Sequence, residues 1–296
     1  MRIGITPMDF TSPDPIGGRL AETVTIAEEI GVHSTWYMDH LFQVPVVGPA
    51  SDPLLEAYTA LAWTAGITSR VHLGALVTAV PYRHPGMLLK AVTTLDVLSG
   101  GRAWLGLGAA WNGDEAQSLG IPFPPLTVRY EQLADALRLA HHMFAGEVIP
   151  FQGTHHSLPR PLNQPLPIRR PPILIGGGGE RRTLPLVARY ADATNVFEHQ
   201  VADKLDVLRR HCEREGRNFD DIVVTTTGMV GQARSVDQLG DRFGRLAELG
   251  VDQAIVDAPQ PFEPLAPSLA DAIRHVSDLG RPAPPQLLGA PGVGIT

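Results

Sequence analysis

The sequence predicts an α/β protein of the (β/α)8 TIM-barrel class, and two observations carry the prediction. Eight short apolar, β-prone runs alternate with eight segments of helical periodicity, and no linker divides them. The fifth run, Ile173 to Ile175, meets four consecutive glycines, Gly176 to Gly179, and then a charged, helix-compatible segment. That is a strand, a turn and a helix. Parallel strands joined by helical crossovers explain the alternation, and a count of eight is what closure requires. A doubly wound open sheet is the competing arrangement.

The elements follow in order. Arg2 to Thr6 is a β-branched run ending at Pro7, and Arg19 to Ile30 places Leu20, Val24, Ala27 and Ile30 at helical spacing before Gly31 stops it. His33 to Met38 is the second strand and ends at Asp39-His40. Pro45, Pro49 and Pro53 mark a loop, and Leu54 to Thr68 makes the second helix. Val71 to Val77 is the third strand; Pro85 to Leu98 is a helix with proline in its first turn. Ala103 to Gly108 is the fourth strand, followed by a long loop with room for a helical turn and a helix from Arg129 to Phe144. Val148 to Leu158 alternates around Gly153 and reads as a small hairpin inserted before the fifth strand. Beyond the glycines come a helix over Arg181 to Tyr190, strand Ala193 to Phe197, helix Ala202 to Glu215 and strand Ile222 to Thr227. A helix from Val236 to Leu249, strand Gln253 to Val256 and helix Pro264 to Leu279 complete the set. Residues 1–280 thus read as a single domain, and 281–296 as a C-terminal tail.

Composition narrows the function classes. A formal net charge of −7 gives a nucleic acid or an anionic membrane no general attraction. No apolar run approaches the ~20 residues that span a bilayer, and the N-terminus has no basic segment followed by a long apolar one. The single cysteine, Cys212, lies in a polar helical segment and fits a reducing, cytoplasmic setting.

In a barrel the loops after the strands form the active face. Asp39-His40, Thr78 to His84, Ala109 to Glu115, the glycine run and Asn195 to His199 then surround one mouth. The glycines and the helix start behind them suit a phosphate, or form only a mobile loop. A histidine beside a carboxylate moves protons near neutral pH, whereas a cap at Asp39 with an ordinary loop His40 is the structural alternative. Tyr82-Arg83-His84 binds an anion or caps the next helix. Trp111 stacks on a planar ring or packs as core, Glu115 ionises in the pocket, and Asn112 or Asp114 caps a turn. Asp96 and Arg102 fix the turn between the third helix and the fourth strand. The pairs His141-His142 and His155-His156 do not suit a metal, because adjacent helical residues diverge and the hairpin lies away from the mouth. No metal is expected.

Taken together, WYMDH (36–40), the stretch 73–115 from LGALV to WNGDE, GIPFPP (120–125) and PPILIGGGGERRTLPLVARYADATNVF (171–197) resemble the luciferase-like monooxygenase family, and more closely its coenzyme F420-dependent oxidoreductase branch. The resemblance implies a bacterial luciferase-like barrel that binds a flavin-type cofactor, with its phosphate near Gly177, Gly178 and Gly179. It implies Asp39 and His40 beside the ring system, and Val77, Thr78 and Ala79 backing the ring, in this family often through a non-prolyl cis peptide. That bond is expected at Val77-Thr78 or Thr78-Ala79. The implied reaction moves a hydride between F420 and a small organic substrate, with His40 as acid or base, Asp39 orienting it or touching the cofactor, and Trp111 on the substrate side. A two-component monooxygenase using reduced FMN and oxygen, or a non-catalytic flavin-binding barrel, are the alternatives. A homodimer and a separate reductase supplying reduced cofactor are implied partners. Trp111 stands where sugar-phosphate dehydrogenases of this branch carry an acidic residue, and the absence of long insertions favours the deazaflavin.

Overall fold

A computed structural model describes residues 1–230 and 235–282. Its strands are β1 (Arg2–Pro7), β2 (Ser34–Tyr37), β3 (His72–Ala75), β4 (Ala103–Gly108), β5 (Ile173–Gly176), β6 (Ala193–Phe197), β7 (Val223–Gly228) and β8 (Gln253–Ala258). Each pairs in parallel with its neighbours, β8 pairs with β1, and β3 pairs with β4, so the sheet closes on itself. The alternation therefore resolves as a barrel and not as an open sheet.

The helices are α1 (Ile16–Glu29), α2 (Ala57–Ile67), α3 (Pro85–Ser99), α4 (Gly113–Ser118), α5 (Leu126–Phe144), α6 (Thr183–Tyr190), α7 (Val201–Glu215), α8 (Val236–Glu248) and α9 (Ala266–Val276). Local chemistry sets several starts. Glu56 accepts the amides of Tyr58 and Thr59, so α2 begins three residues after the expected Leu54. His84 accepts the Gly86 amide and Asn112 that of Asp114, so both residues cap the helices that follow, whereas Trp111 is exposed and not packed as core. The hairpin is present as Phe151–Gln152 paired antiparallel with Ser157–Leu158.

The bore is filled. Trp36, Trp104, Leu174, Ala193, Val223 and Ile255 form its inner cluster, with the two indoles edge to face at 5.6 Å. A Cβ on Gly74 would lie 2.5 Å from Trp36, so a residue without a side chain on β3 makes the space that the indole occupies. Between strands and helices lie two larger apolar clusters.

Buried Arg102 donates to the carbonyls of Ala65, Thr68, Val71 and Ser99 and to the Thr68 hydroxyl, stitching α2 and α3 to the base of the barrel. That is the turn-fixing role expected of it. Arg281 pairs with Asp252 and Asp220, so the chain is still tied to the barrel at the first residue assigned to the tail. Residues 283–296 of that tail lie outside the described residues. Among the described residues no helix is long and apolar enough to cross a membrane.

Strand three differs from expectation. Its pairing lapses after Ala75, and Thr78–Ala79 resume as a two-residue strand beside Leu107–Gly108. The non-prolyl cis bond lies in the intervening bend, at Leu76-Val77, and neither expected position carries it.

Candidate functional site

A cavity of about 1370 Å³ opens at the C-terminal ends of the strands. Asp39, His40, Val77, Ala79, Trp111 and Gly176 to Gly179 all line it, as do Asn195 to His199. Residues from five separate stretches meet there because every parallel strand of a barrel delivers its following loop to the same end.

Its floor is Val77. A Cβ on Gly108 or Gly176 would fall 2.6 or 2.8 Å from the Val77 side chain, and one on Gly106 would fall 2.0 Å from the Ala75 carbonyl oxygen. Three glycines on two adjacent strands therefore admit the bend after β3 into the barrel. Thr78 takes no part in the cavity wall: it is buried, and its hydroxyl is 2.6 Å from that of Tyr58. The alternation of the backbone explains this, since Val77 and Thr78 face opposite ways.

His40 has a carboxylate partner, but not its neighbour in sequence. Its Nδ1 lies 2.7 Å from Glu115 Oε1, while Glu115 Oε2 accepts the amides of Leu41 at 2.7 Å and Phe42 at 3.2 Å, and Tyr82 donates its hydroxyl to Oε1 at 2.7 Å. Burial alone would raise the Glu115 carboxyl; the bonds from His40, Tyr82 and Leu41 outweigh it and hold the group at about 2. Against an ionised carboxylate, Nδ1 carries the proton, and Nε2 of a neutral ring is left as the acceptor. Nε2 has no partner among the described residues, and Trp111 lies edge to face with the imidazole at 5.4 Å.

Asp39 accepts the Ala79 amide at 3.0 Å and Arg83 at 2.7 Å through one oxygen, and Arg83 also bonds Glu56. Its other oxygen, Oδ1, is buried without a hydrogen-bond partner among the described residues. Burial raises the Asp39 carboxyl, and the Arg83 charge only partly offsets it. The sequence reading left Arg83 between anion ligand and cap. It is the counter-charge of a buried aspartate 44 residues away, a pairing that only the fold reveals.

At the glycine run, Gly177 has φ +114° and donates to the Asn195 carbonyl at 2.9 Å. The amides of Gly178 and Gly179 make no hydrogen bond among the described residues. A Cβ on Gly178 would crowd Gln200 at 2.9 Å, and one on Gly179 would crowd Thr183 at 2.7 Å and the Tyr130 hydroxyl at 3.3 Å. Tyr130 and Thr183 join hydroxyls at 2.7 Å, and Arg182 stacks over Tyr130. Two amides unbonded among the described residues, beside hydroxyls and a helix start, are donors of the kind that an anion can meet.

Among the described residues no three His, Cys, Asp or Glu side chains converge in a way that could hold a metal ion. His141 bonds the Tyr190 carbonyl, and His155 pairs with Glu131, each within its own neighbourhood.

The sequence profile described as luciferase-like monooxygenase matches residues 5–275. An F420-dependent glucose-6-phosphate dehydrogenase of Kineococcus radiotolerans is 34% identical over 177 residues, which cover 59% of this chain and 49% of that protein. The match thus spans about half the length of that curated relative. In fold, the chain is similar to the coenzyme F420-dependent tetrahydromethanopterin reductase of Methanopyrus kandleri, with a TM-score of 0.76 at 17% identity, covering 93% of this chain and 99% of that one. It is also similar to the riboflavin lyase RcaE, solved with modified FMN and riboflavin, with a TM-score of 0.80 at 12% identity, covering 98% and 94%.

Proposed function

The chain belongs to the luciferase-like monooxygenase family, and from that premise we propose that it is an oxidoreductase that binds coenzyme F420 at the barrel mouth and moves a hydride between it and a small organic substrate. The observation that carries the reading is the meeting, in one cavity, of an anion cradle, an unpartnered buried carboxylate oxygen and a histidine held by an ionised glutamate. The F420-dependent names of the curated relative and of the reductase with the same fold support it.

The residues fit the cofactor. Gly178 and Gly179 would hold its phosphate with their amides, with Tyr130 and Thr183 beside them; Asp39 Oδ1 would accept a donor of the ring system; Val77 would back the ring. When bound, the deazaflavin supplies a carbon-bound hydride and activates oxygen poorly. The chain's own part is to orient the ring, exclude water and handle one proton. Glu115 fixes the His40 ring so that Nε2 faces the reacting atoms, and Trp111 covers that position.

Titrating the purified protein with F420 and with FMN tests the reading. F420 is expected to bind in the micromolar range or tighter and to be turned over with substrate in the absence of oxygen. Binding of FMN with oxygen-dependent turnover would establish the monooxygenase alternative, which the FMN-containing RcaE fold supports. Binding without turnover would make the barrel a carrier.

A second expectation concerns the cradle alone. Gly179→Val places a side chain against Thr183 and Tyr130. F420 affinity, followed by its own fluorescence well below the variant's thermal midpoint, should fall about tenfold or more, the equivalent of ~1.4 kcal/mol, and the crowding of Thr183 should lower that midpoint as well. Undiminished affinity would remove the phosphate from this loop.

A further inference from the structure

Among the described residues, six large apolar side chains that line the cavity stand exposed; Leu249 ends α8, and the other five are Val46, Trp111, Leu126, Phe197 and Met229. They come from the loop after β2, the loop after β4, the start of α5, the end of β6 and the residue after β7. The fold gathers them, because no two are neighbours in sequence. Water-exposed apolar groups are ordinary when scattered; a ring of them bordering a cavity that contains a proton-transfer group marks a ligand surface.

The charges of the same cavity are already engaged. Arg242 grips both oxygens of Glu198, at 2.7 and 3.0 Å, and also the Met229 carbonyl. Asp257 accepts the Val230 amide. His199 stacks on Phe197 at 5.8 Å. A phosphate ester needs several convergent donors, and apart from the glycine run reserved for the cofactor, Arg245, exposed on α8, is the one arginine of the described lining that has no ion pair among the described residues.

We infer that the substrate of this site is an uncharged, largely apolar carbonyl compound, or the corresponding alcohol, whose hydrocarbon part lies against Trp111, Phe197 and Met229 and whose oxygen meets Nε2 of His40. The inference rests on the F420 reading above for its redox step. In the reducing direction the carbonyl carbon accepts a hydride from the reduced deazaflavin, which is thereby oxidised by two electrons. The carbonyl oxygen accepts the proton of protonated His40 Nε2, so that C=O becomes CH–OH and the imidazole is left neutral. The reverse direction returns both. A sugar phosphate, the substrate in the name of the Kineococcus relative, suits the same surface less well: most of it would lie against exposed apolar groups, with Arg245 as the one unpaired arginine among the described residues to meet its anion.

The test is a series of straight-chain 2-ketones from butanone to decanone, with glucose 6-phosphate as the contrasting probe. Binding is measured by calorimetry on the free and the F420-loaded protein, and turnover by the loss of reduced F420. Ketone affinity is expected to rise about fourfold for each added methylene in at least one form, and glucose 6-phosphate to bind more weakly than octanone. An affinity independent of chain length in both forms, or tighter binding of glucose 6-phosphate, would overturn the inference. Phe197→Ser should flatten the series, and an unchanged gradient in that variant would also overturn it. F420 binding, followed separately by fluorescence, keeps the two readings apart. If F420 fails to bind while the ketone gradient persists on the free protein, the cofactor reading falls and the apolar substrate site stands.

Discussion

Replacing His40 by alanine lowers turnover about 10²–10⁴-fold, the range general acid–base catalysis contributes, and leaves F420 affinity nearly unchanged. The expectation follows from how the ring is held. Glu115 accepts a hydrogen bond from Nδ1, Nε2 has no partner among the described residues, and the ring lies at the cavity wall beside Trp111. No phosphate-cradle residue touches it. Single-turnover rates and F420 fluorescence titration on the same preparation separate the two effects. Full turnover in the variant would take His40 out of the chemistry; lost F420 binding would make it a cofactor ligand instead.

Glu115→Ala has the second large effect, and on stability as well as turnover. It strips acceptors from four donors at once: His40 Nδ1, the Leu41 and Phe42 amides, and the Tyr82 hydroxyl. The loops after β2 and β4, which flank β3, lose their shared anchor. Leaving buried donors unpaired costs ~3 kcal/mol or more, which corresponds to a fall in the thermal midpoint of about 5–10 °C. Glu115→Gln keeps the shape and loses the charge, so it should fold better than the alanine variant and still turn over slowly. A kcat loss with KM retained is the mark of misplaced His40, and an equal rise in KM would point to simple loosening of the pocket. The same carboxylate gives a pH signature. Its folded value, about 2, lies below the ordinary 4.5. The stabilisation is therefore complete above the unfolded value and is lost as pH falls from there toward 2. Thermal melts of wild type and Glu115→Gln between pH 6 and 2.5 should converge at the acid end. A constant gap would mean that the charge contributes nothing.

The architecture was legible in the sequence because it depends on local periodicity. Every strand of the barrel falls inside or within a residue or two of the run that predicted it, and the glycine stretch follows β5 as expected. The site was legible only in part. Asp39, His40, Trp111 and the glycines reach one cavity because loop position follows from strand order. Which carboxylate serves which cation does not follow from order. Glu115 is 75 residues from His40 and Arg83 is 44 from Asp39, and only the closed barrel brings each pair within hydrogen-bond distance. Adjacency in the chain suggested Asp39 as the partner of His40, yet neighbouring side chains at the end of a strand diverge. The displaced cis bond has a related origin: the residue at which strand three leaves the sheet is set by the glycines of β4 and β5, not by strand three itself.

The Val77 floor, with Trp36 and Trp104 filling the bore beneath it, bears on the order of events in a catalytic cycle. With the bore filled beneath it, the cavity opens at the C-terminal ends of the strands, and a ligand on the Val77 floor lies at its deepest point. A molecule resting there is boarded first and released last, while anything lying above it exchanges without disturbing it. Such a last-in, first-out order would trace back to the three glycines that admit the Val77 bend, two of which, Gly108 and Gly176, line the cavity themselves.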